Sequence, residues 1–275
     1  MEIITLDNFR FVADLLHQKT GIVLSDEKVY FVETRLSDLL RNEGIGSIEE
    51  LIETIRRGRD AALEKKVLES LTTNETYFFR DVAPFEALRK VVLPDIIQRR
   101  QGERRICIWS LACATGQEAY SIAMVIREHF PQLASWDLKI IGADYSREVL
   151  EKAKSGTYSQ FEVNRGLPVS YLLKYFIKEG DRWLLKDSVR TLTEFVEFNL
   201  LDSRYSLPTP DIVFLRNVMI YFDLETKKKI LANVKNTMRR DGYLFLGTAE
   251  TTLNIDNSLE RHVFEDNCAC YRIGQ

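Results

Sequence analysis

Between residues 105 and 250 the chain repeats one theme, a short apolar run followed by a stretch of helical period. The runs are RICIWSL (105–111), LKIIGAD (138–144), DIVFLRN (211–217) and GYLFLGTAE (242–250), and helices are expected over about 117–130, 146–155 and 224–240. Such runs lack the alternation of a sheet with one wet face, so their strands must be covered on both sides. Buried strands alternating with helices require crossover connections, and therefore a mostly parallel α/β sheet. The tail HVFEDNCACYRI (262–273) reads as strand, tight turn and strand, which adds antiparallel strands at the end of that sheet. Residues of about 176–198 lack helical period and read as a small antiparallel β insertion.

The first 71 residues are different: they read as wholly helical. Phe9, Val12, Ala13 and Leu16 recur at helical spacing, with Thr5 or Asp7 as cap and Gly21 as stop. A second helix starts at Ser25 or Asp26 and ends at Gly44. A third is capped by Ser47, with Glu50 in the capping-box position, and is closed by Gly58. A fourth covers roughly 60–71. The organisation expected is an N-terminal helical domain (1–71), a linker (72–104) holding the polar-aromatic run TTNETYFFRD, and an α/β domain (105–275).

Composition narrows the function. Hydrophobic residues at 45% and charged residues at 29% exclude a disordered chain, and a net charge of −3 gives no overall field for nucleic acid. The N-terminus carries charges without an uninterrupted apolar core, and no charge-free apolar run reaches 18 residues. Neither a secretory signal nor membrane insertion is expected. A cytoplasmic protein is expected, with Cys107, Cys113, Cys268 and Cys270 as reduced structural thiols. His17, His129 and His262 are scattered and no Cys/His pair has ligand spacing, so no metal is expected.

In a doubly wound sheet the ligand lies beyond the carboxyl ends of the strands. After the first strand stands Ala112-Cys113-Ala114-Thr115-Gly116-Gln117-Glu118. Its small residues let a ligand approach the backbone. With one glycine and a carboxylate it is a poor pyrophosphate cradle, which argues against a nicotinamide dehydrogenase. It suits a zwitterionic ligand such as S-adenosylmethionine, unless Glu118 merely caps its helix. Asp144, ending the second strand, is either a ribose acceptor or, with Ser146, a helix cap. Asn217 and Tyr221 follow the strand at 211–215, Tyr221 either overhanging a ligand or packing with Phe222 in the core. Asn199-Leu200 closes the preceding segment.

TNETYFFRD (73–81), CATGQEAYSIA (113–123), GADYS (142–146), FNLLD (198–202) and FLRNVMIYFD (214–223), in this order, resemble the CheR family of chemotaxis receptor methyltransferases over nearly the full chain. The resemblance implies a Rossmann-like class I S-adenosylmethionine-dependent methyltransferase domain with an inserted antiparallel β-subdomain and an N-terminal all-α domain. It implies methyl transfer to receptor glutamates, with S-adenosylhomocysteine as product. Asn74, Thr76, Arg80, Glu118, Asp144, Asn199, Leu200, Asn217 and Val218 would bind the cofactor: Glu118 the amino-acid end, Asp144 the ribose, and Asn199 and Leu200 the adenine flanks. Arg80 and Tyr221 would lie beside the transferred methyl. The partners implied are the cytoplasmic domain of a methyl-accepting receptor and, through the β-subdomain, a receptor C-terminal peptide, met by a monomer. Two positions depart from the pattern. The family's Glu-Glu-Pro after the glycine is Gln117-Glu118-Ala119 here, with Glu118 expected to suffice. Family members often present a basic N-terminal face to the receptor, whereas residues 1–71 hold ten Lys and Arg against fourteen Asp and Glu, a net charge of −4. Arg56, Arg57 and Arg59 form a local basic cluster. A nucleic-acid or small-molecule methyltransferase, or a catalytically weak S-adenosylmethionine-binding module, are the alternatives.

Overall fold

A computed structural model describes residues 3–58, 60–264 and 268–274. The chain divides into two compact units, Met1–Thr73 with Tyr221–Thr226, and Asn74–Ile220 with Lys227–Gln275.

Capping chemistry sets the helices of the first unit. Thr5 Oγ1 accepts the Asn8 N–H at the start of α1 (Leu6–Thr20), and Gly21, at φ 79°, ends it. A short 3-10 turn at Asp26–Lys28 leads into α2 (Val29–Glu43), which stops at left-handed Gly44. Ser47 caps α3 (Ile48–Arg56), but the Glu50 carboxylate accepts from the Gly46 N–H, one residue before the expected capping-box donor. Asp60 caps α4 (Ala61–Ser70). Phe9, Val12, Leu16, Val32, Leu36, Leu51 and Val67 fill the interior. Tyr221–Thr226 joins these helices through an Ile22–Phe222 bridge, a Val23 N–H to Tyr221 C=O bond (2.9 Å), and His17 Nε2 at 2.8 Å from the Asp223 carboxylate.

The second unit opens with α5 (Ala83–Ala87), a π-turn at Leu88–Val92 and α6 (Leu93–Arg99). Then come β1 (Arg105–Leu111), α7 (Gln117–His129), β2 (Asp137–Asp144), α8 (Arg147–Ser155), β3 (Thr157–Ser159), α9 (Gln160–Asn164) and α10 (Val169–Tyr175). They are followed by β4 (Phe176–Glu179), β5 (Arg182–Leu185), α11 (Asp187–Arg190), β6 (Thr193–Glu197), β7 (Ile212–Leu215), α12 (Leu224–Thr237), β8 (Tyr243–Leu246), β9 (Leu259–Val263) and β10 (Ala269–Ile273). The main sheet has the order β6-β2-β1-β7-β8-β10-β9. β6, β2, β1, β7 and β8 are parallel, and β10 and β9 close the end antiparallel. The fold is the expected Rossmann-like α/β architecture. Cys268, just before β10, and Cys270 within it are both buried.

The inserted antiparallel sheet has the order β3-β5-β4. Its limits differ from the expected 176–198. It recruits Thr157–Ser159, and it loses Thr193–Glu197, which pairs parallel with β2 in the main sheet. The reason is position: β6 is an edge strand, so Phe195 is buried while Glu194 and Glu197 face water. Such a strand lacks the continuous apolar run of the central strands and reads as part of a half-exposed insertion.

Candidate active site

The five parallel strands deliver their carboxyl ends to one edge of the sheet. Chain order runs outward from β1 through β2 to β6, then returns to β7 on the other side of β1. The switch point therefore lies between the ends of β1 and β7, where a doubly wound sheet binds its ligand.

The loop after β1 hugs the sheet. Ala112, Ala114 and Gly116 all have positive φ, at 54°, 48° and 89°. A Cβ on Gly116 would come within 2.9 Å of the Ala153 Cβ and 3.0 Å of the Phe195 ring, so only glycine fits. The Asp144 carboxylate holds this loop from β2: Oδ2 accepts the Ala114 N–H (2.8 Å) and Oδ1 the Ser146 N–H (3.0 Å). The cap of α8 falls to Ser146, which accepts from Val149 N–H. Asp144 is thereby released from the capping role and stands buried at the strand end. Gln117 turns inward, accepting from the Thr115 hydroxyl.

Glu118 lies in the first turn of α7, where the helix dipole favours an acid. Its Oε1 accepts from Ser110 Oγ and its Oε2 from Arg216 Nη1, each at 2.8 Å. Arg216 spans the switch point. Its side chain is 1% exposed, and its Nη2 reaches the Asp81 carboxylate (2.7 Å) and the Arg80 carbonyl (2.9 Å). One buried guanidinium thus ties β7, the glycine loop and the linker together. Its Nε has no hydrogen-bond partner among the described residues. Sequence reasoning missed Arg216, whose signal is a charge directly after a four-residue apolar strand.

The linker run packs through its aromatics. Phe78 is fully buried, edge-on to Tyr158 (5.0 Å) and Phe176 (5.7 Å). Phe79 packs on Phe85 and Tyr171, and its N–H donates to Ser121 Oγ. Phe79, Asp81 and Val82 all have positive φ, a costly run that the packing on both sides sustains. Arg80 sits inside it, half-exposed, with Nη1 donating to the Glu75 carbonyl (3.1 Å) and its guanidinium 5.6 Å from the Tyr77 ring centre. No carboxylate oxygen lies within salt-bridge distance of Arg80 among the described residues. Asn74 and Thr76 are half-buried on the same run.

At the end of β6, Asn199 Oδ1 accepts the Leu201 N–H, and buried Leu200 offers its carbonyl to the Tyr205 hydroxyl (2.8 Å). After β7, Asn217 has φ 58° and Val218 is half-buried. Glu250, which sequence reasoning missed, fixes this turn. Its carboxylate accepts three backbone N–H groups, from Asn217 (2.8 Å), Met219 (2.7 Å) and Gly247 (2.6 Å). Its signal is an acid four residues beyond the end of β8. Tyr221 is half-exposed while Phe222 is buried, and both belong to the compact unit of the N-terminal helices. Among the described residues no group of three or more His, Cys, Asp or Glu could hold a metal ion, and no helix is long and apolar enough to cross a membrane.

Comparison with known proteins identifies the architecture. Residues 74–267 match the family described as CheR methyltransferase, SAM binding domain, and residues 7–72 its all-alpha domain. The chain belongs to the CheR methyltransferase family. It is 42% identical to chemotaxis protein methyltransferase Cher2 of Pseudomonas putida over 86% of each chain. It is 41% identical to chemotaxis protein methyltransferase 1 of Pseudomonas aeruginosa, over 90% of this chain and 91% of that one. A Vibrio parahaemolyticus chemotaxis protein methyltransferase is 36% identical over 92% of both. As a CheR-family protein it is a methyltransferase with an S-adenosylmethionine-binding domain. Near this edge stand groups of the kind such a ligand would need: carboxylates in the first turn of α7 and at the end of β2, amides two residues after β6 and β7, and a loop whose turn at Gly116 admits only glycine.

Proposed function

We propose that this CheR-family protein methylates glutamate side chains in the cytoplasmic domains of chemotaxis receptors. S-adenosylmethionine supplies an electrophilic methyl group, and the products are a glutamyl methyl ester and S-adenosylhomocysteine. The observation that carries the reading is Arg80. Arg216 and Arg165 pair directly with carboxylates, whereas Arg80 has no carboxylate within 4 Å among the described residues; it feels the Glu75 carboxylate at longer range and donates to the Glu75 carbonyl. A planar guanidinium so placed is built to take a substrate carboxylate through two hydrogen bonds.

A glutamate has a pKa of about 4.3 and is already ionised at neutral pH, so the nucleophile needs no general base. What the protein must supply is in-line placement and exclusion of water. Arg80 orients the substrate carboxylate, and Tyr221 donates a hydrogen bond to it or shapes the methyl's path. Glu118 holds the ammonium of the amino-acid end, Asp144 the ribose hydroxyls, and Asn199, Leu200, Asn217 and Val218 the adenine. Asn74 and Thr76 complete the cofactor site from the linker. β3 and β4 are the two edge strands of the inserted sheet, which supports docking of a receptor C-terminal peptide by strand addition. The test is incubation with methyl-labelled S-adenosylmethionine and receptor cytoplasmic fragments. Base-labile label on the receptor is the expected result. Label that survives base, or label on nucleic acid or a small molecule instead, would overturn the reading.

Two further outcomes are expected. Asp144→Ala should weaken S-adenosylmethionine binding by about 1.5–3 kcal/mol, the range for a hydrogen bond to a charged group. Calorimetric titration measures it, and unchanged affinity would remove Asp144 from the site. The second concerns docking. Arg56 already pairs with Asp7 (2.9 Å), and Arg57 with Glu53. Arg59, the third member of the cluster, lies outside the described residues. With the helical domain net acidic, receptor methylation should depend only weakly on salt. A rate that collapses between low and physiological ionic strength would contradict this.

A further inference from the structure

The segment holding Arg80 does not stand alone; the inserted subdomain builds its floor. Gly166, in the loop after α9, has φ 80°, and a Cβ there would lie 2.0 Å from the Phe78 carbonyl oxygen and 3.0 Å from Tyr77 Cδ2. That loop is therefore pressed against the backbone just before Arg80. Its preceding residue, Arg165, lays its guanidinium 4.4 Å from the centre of the Tyr77 ring, the same ring that Arg80 approaches at 5.6 Å. Arg165 also pairs with the Glu75 carboxylate (2.7 Å), while the backbone carbonyl of Glu75 accepts from Arg80 Nη1 (3.1 Å). The Arg165 guanidinium holds the Glu75 carboxyl below its ordinary range. An exposed ion pair alone would contribute little. Here the pair, the shared ring and the glycine contact converge on one short segment.

We propose that Arg165 is a positioning residue for Arg80: it clamps Tyr77 and Glu75, the two residues against which the Arg80 guanidinium rests. The inference rests on the assignment of Arg80 to the substrate carboxylate. It makes the inserted subdomain part of the catalytic apparatus, because the aim of Arg80 is set from the loop after α9.

The test is a double-mutant cycle in the full-length protein, with single-turnover methylation of a receptor cytoplasmic fragment at saturating S-adenosylmethionine. Arg165→Ala should lower the rate roughly three- to thirtyfold, within the hundredfold that a misplacement of about 1 Å can cost. Cofactor affinity by calorimetry and the melting temperature should stay near wild type. Arg165→Lys should recover part of the rate, since an ammonium keeps the charge and the ring contact. Tyr77→Leu should behave like Arg165→Ala, and Tyr77→Phe, which keeps the ring, should retain more of the rate. In an Arg80→Ala background, Arg165→Ala should add almost nothing. Additive losses would overturn the proposal, showing that Arg165 acts on substrate independently. A wild-type rate in Arg165→Ala would overturn it directly. If Arg80→Ala alone keeps wild-type turnover, the assignment of Arg80 fails first and this proposal falls with it.

Discussion

Arg80→Ala is expected to lower turnover by roughly tenfold to a thousandfold at saturating cofactor, because losing the group that orients an attacking carboxylate forfeits much of the proximity advantage. Three aromatics in succession, Tyr77, Phe78 and Phe79, precede Arg80, and two of them are buried. They fix the backbone while the Arg80 side chain stays half-exposed. The positive φ at Phe79 and Asp81, on either side of it, shows a backbone constrained into this shape. Arg80→Lys should rescue only in part, since a point charge cannot reproduce a planar fork. Stability should change little, because the side chain gives up one hydrogen bond to the Glu75 carbonyl and a partly exposed ring contact. Single-turnover methylation with a melting curve beside it checks both halves. Wild-type turnover would refute the role, and a large fall in melting temperature would make Arg80 structural.

The sheet was legible because its strands are apolar throughout. RICIWSL coincides with β1, and Asp144 closes β2 as expected. Helix stops were legible where glycine takes left-handed φ, at Gly21 and Gly44. The limits of the insertion were not legible. β6 has one neighbour, and with Phe195 alone buried among its five residues it lacks the apolar run that marks the central strands. Strand ends drew attention to Asp144, which closes β2, to Asn199 and Asn217, two residues beyond β6 and β7, and to Glu118 in the first turn of the helix after β1. Arg216 and Glu250 also follow strand ends, but the partners that give them their roles are not legible there. Their positions follow from which strands become neighbours: Arg216 meets Glu118 only because β7 returns beside β1, and Glu250 meets Asn217 only because β8 lies next to β7. Local pattern does not encode that adjacency.

Arg216→Met should therefore damage fold and cofactor site together. Its side chain is almost wholly buried, while Glu118 and Asp81 keep 12% and 25% exposure. Removing the guanidinium strands two carboxylates at the switch point. Breaking a fully buried pair costs about 3–5 kcal/mol, and the partial exposure of these acids lowers the expected cost to roughly 2–4 kcal/mol. For a chain of this size that corresponds to roughly 5–15 °C in melting temperature. Affinity for S-adenosylmethionine should fall as well, because Glu118 loses the bond that fixes one oxygen and Asp81 no longer anchors the turn carrying Arg80. Arg216→Lys should recover less than half of the lost stability: one ammonium cannot reach Glu118, Asp81 and the Arg80 carbonyl in the geometry that two guanidinium nitrogens satisfy. A second substitution separates charge from packing. Adding Glu118→Gln to Arg216→Met removes one stranded charge, so stability should partly return while cofactor affinity stays low. Thermal melts and calorimetric titration of the three variants decide the matter. A melting temperature within about 2 °C of wild type for Arg216→Met, less than the shift for about 1 kcal/mol, would show that water reaches both carboxylates and that Arg216 is no keystone.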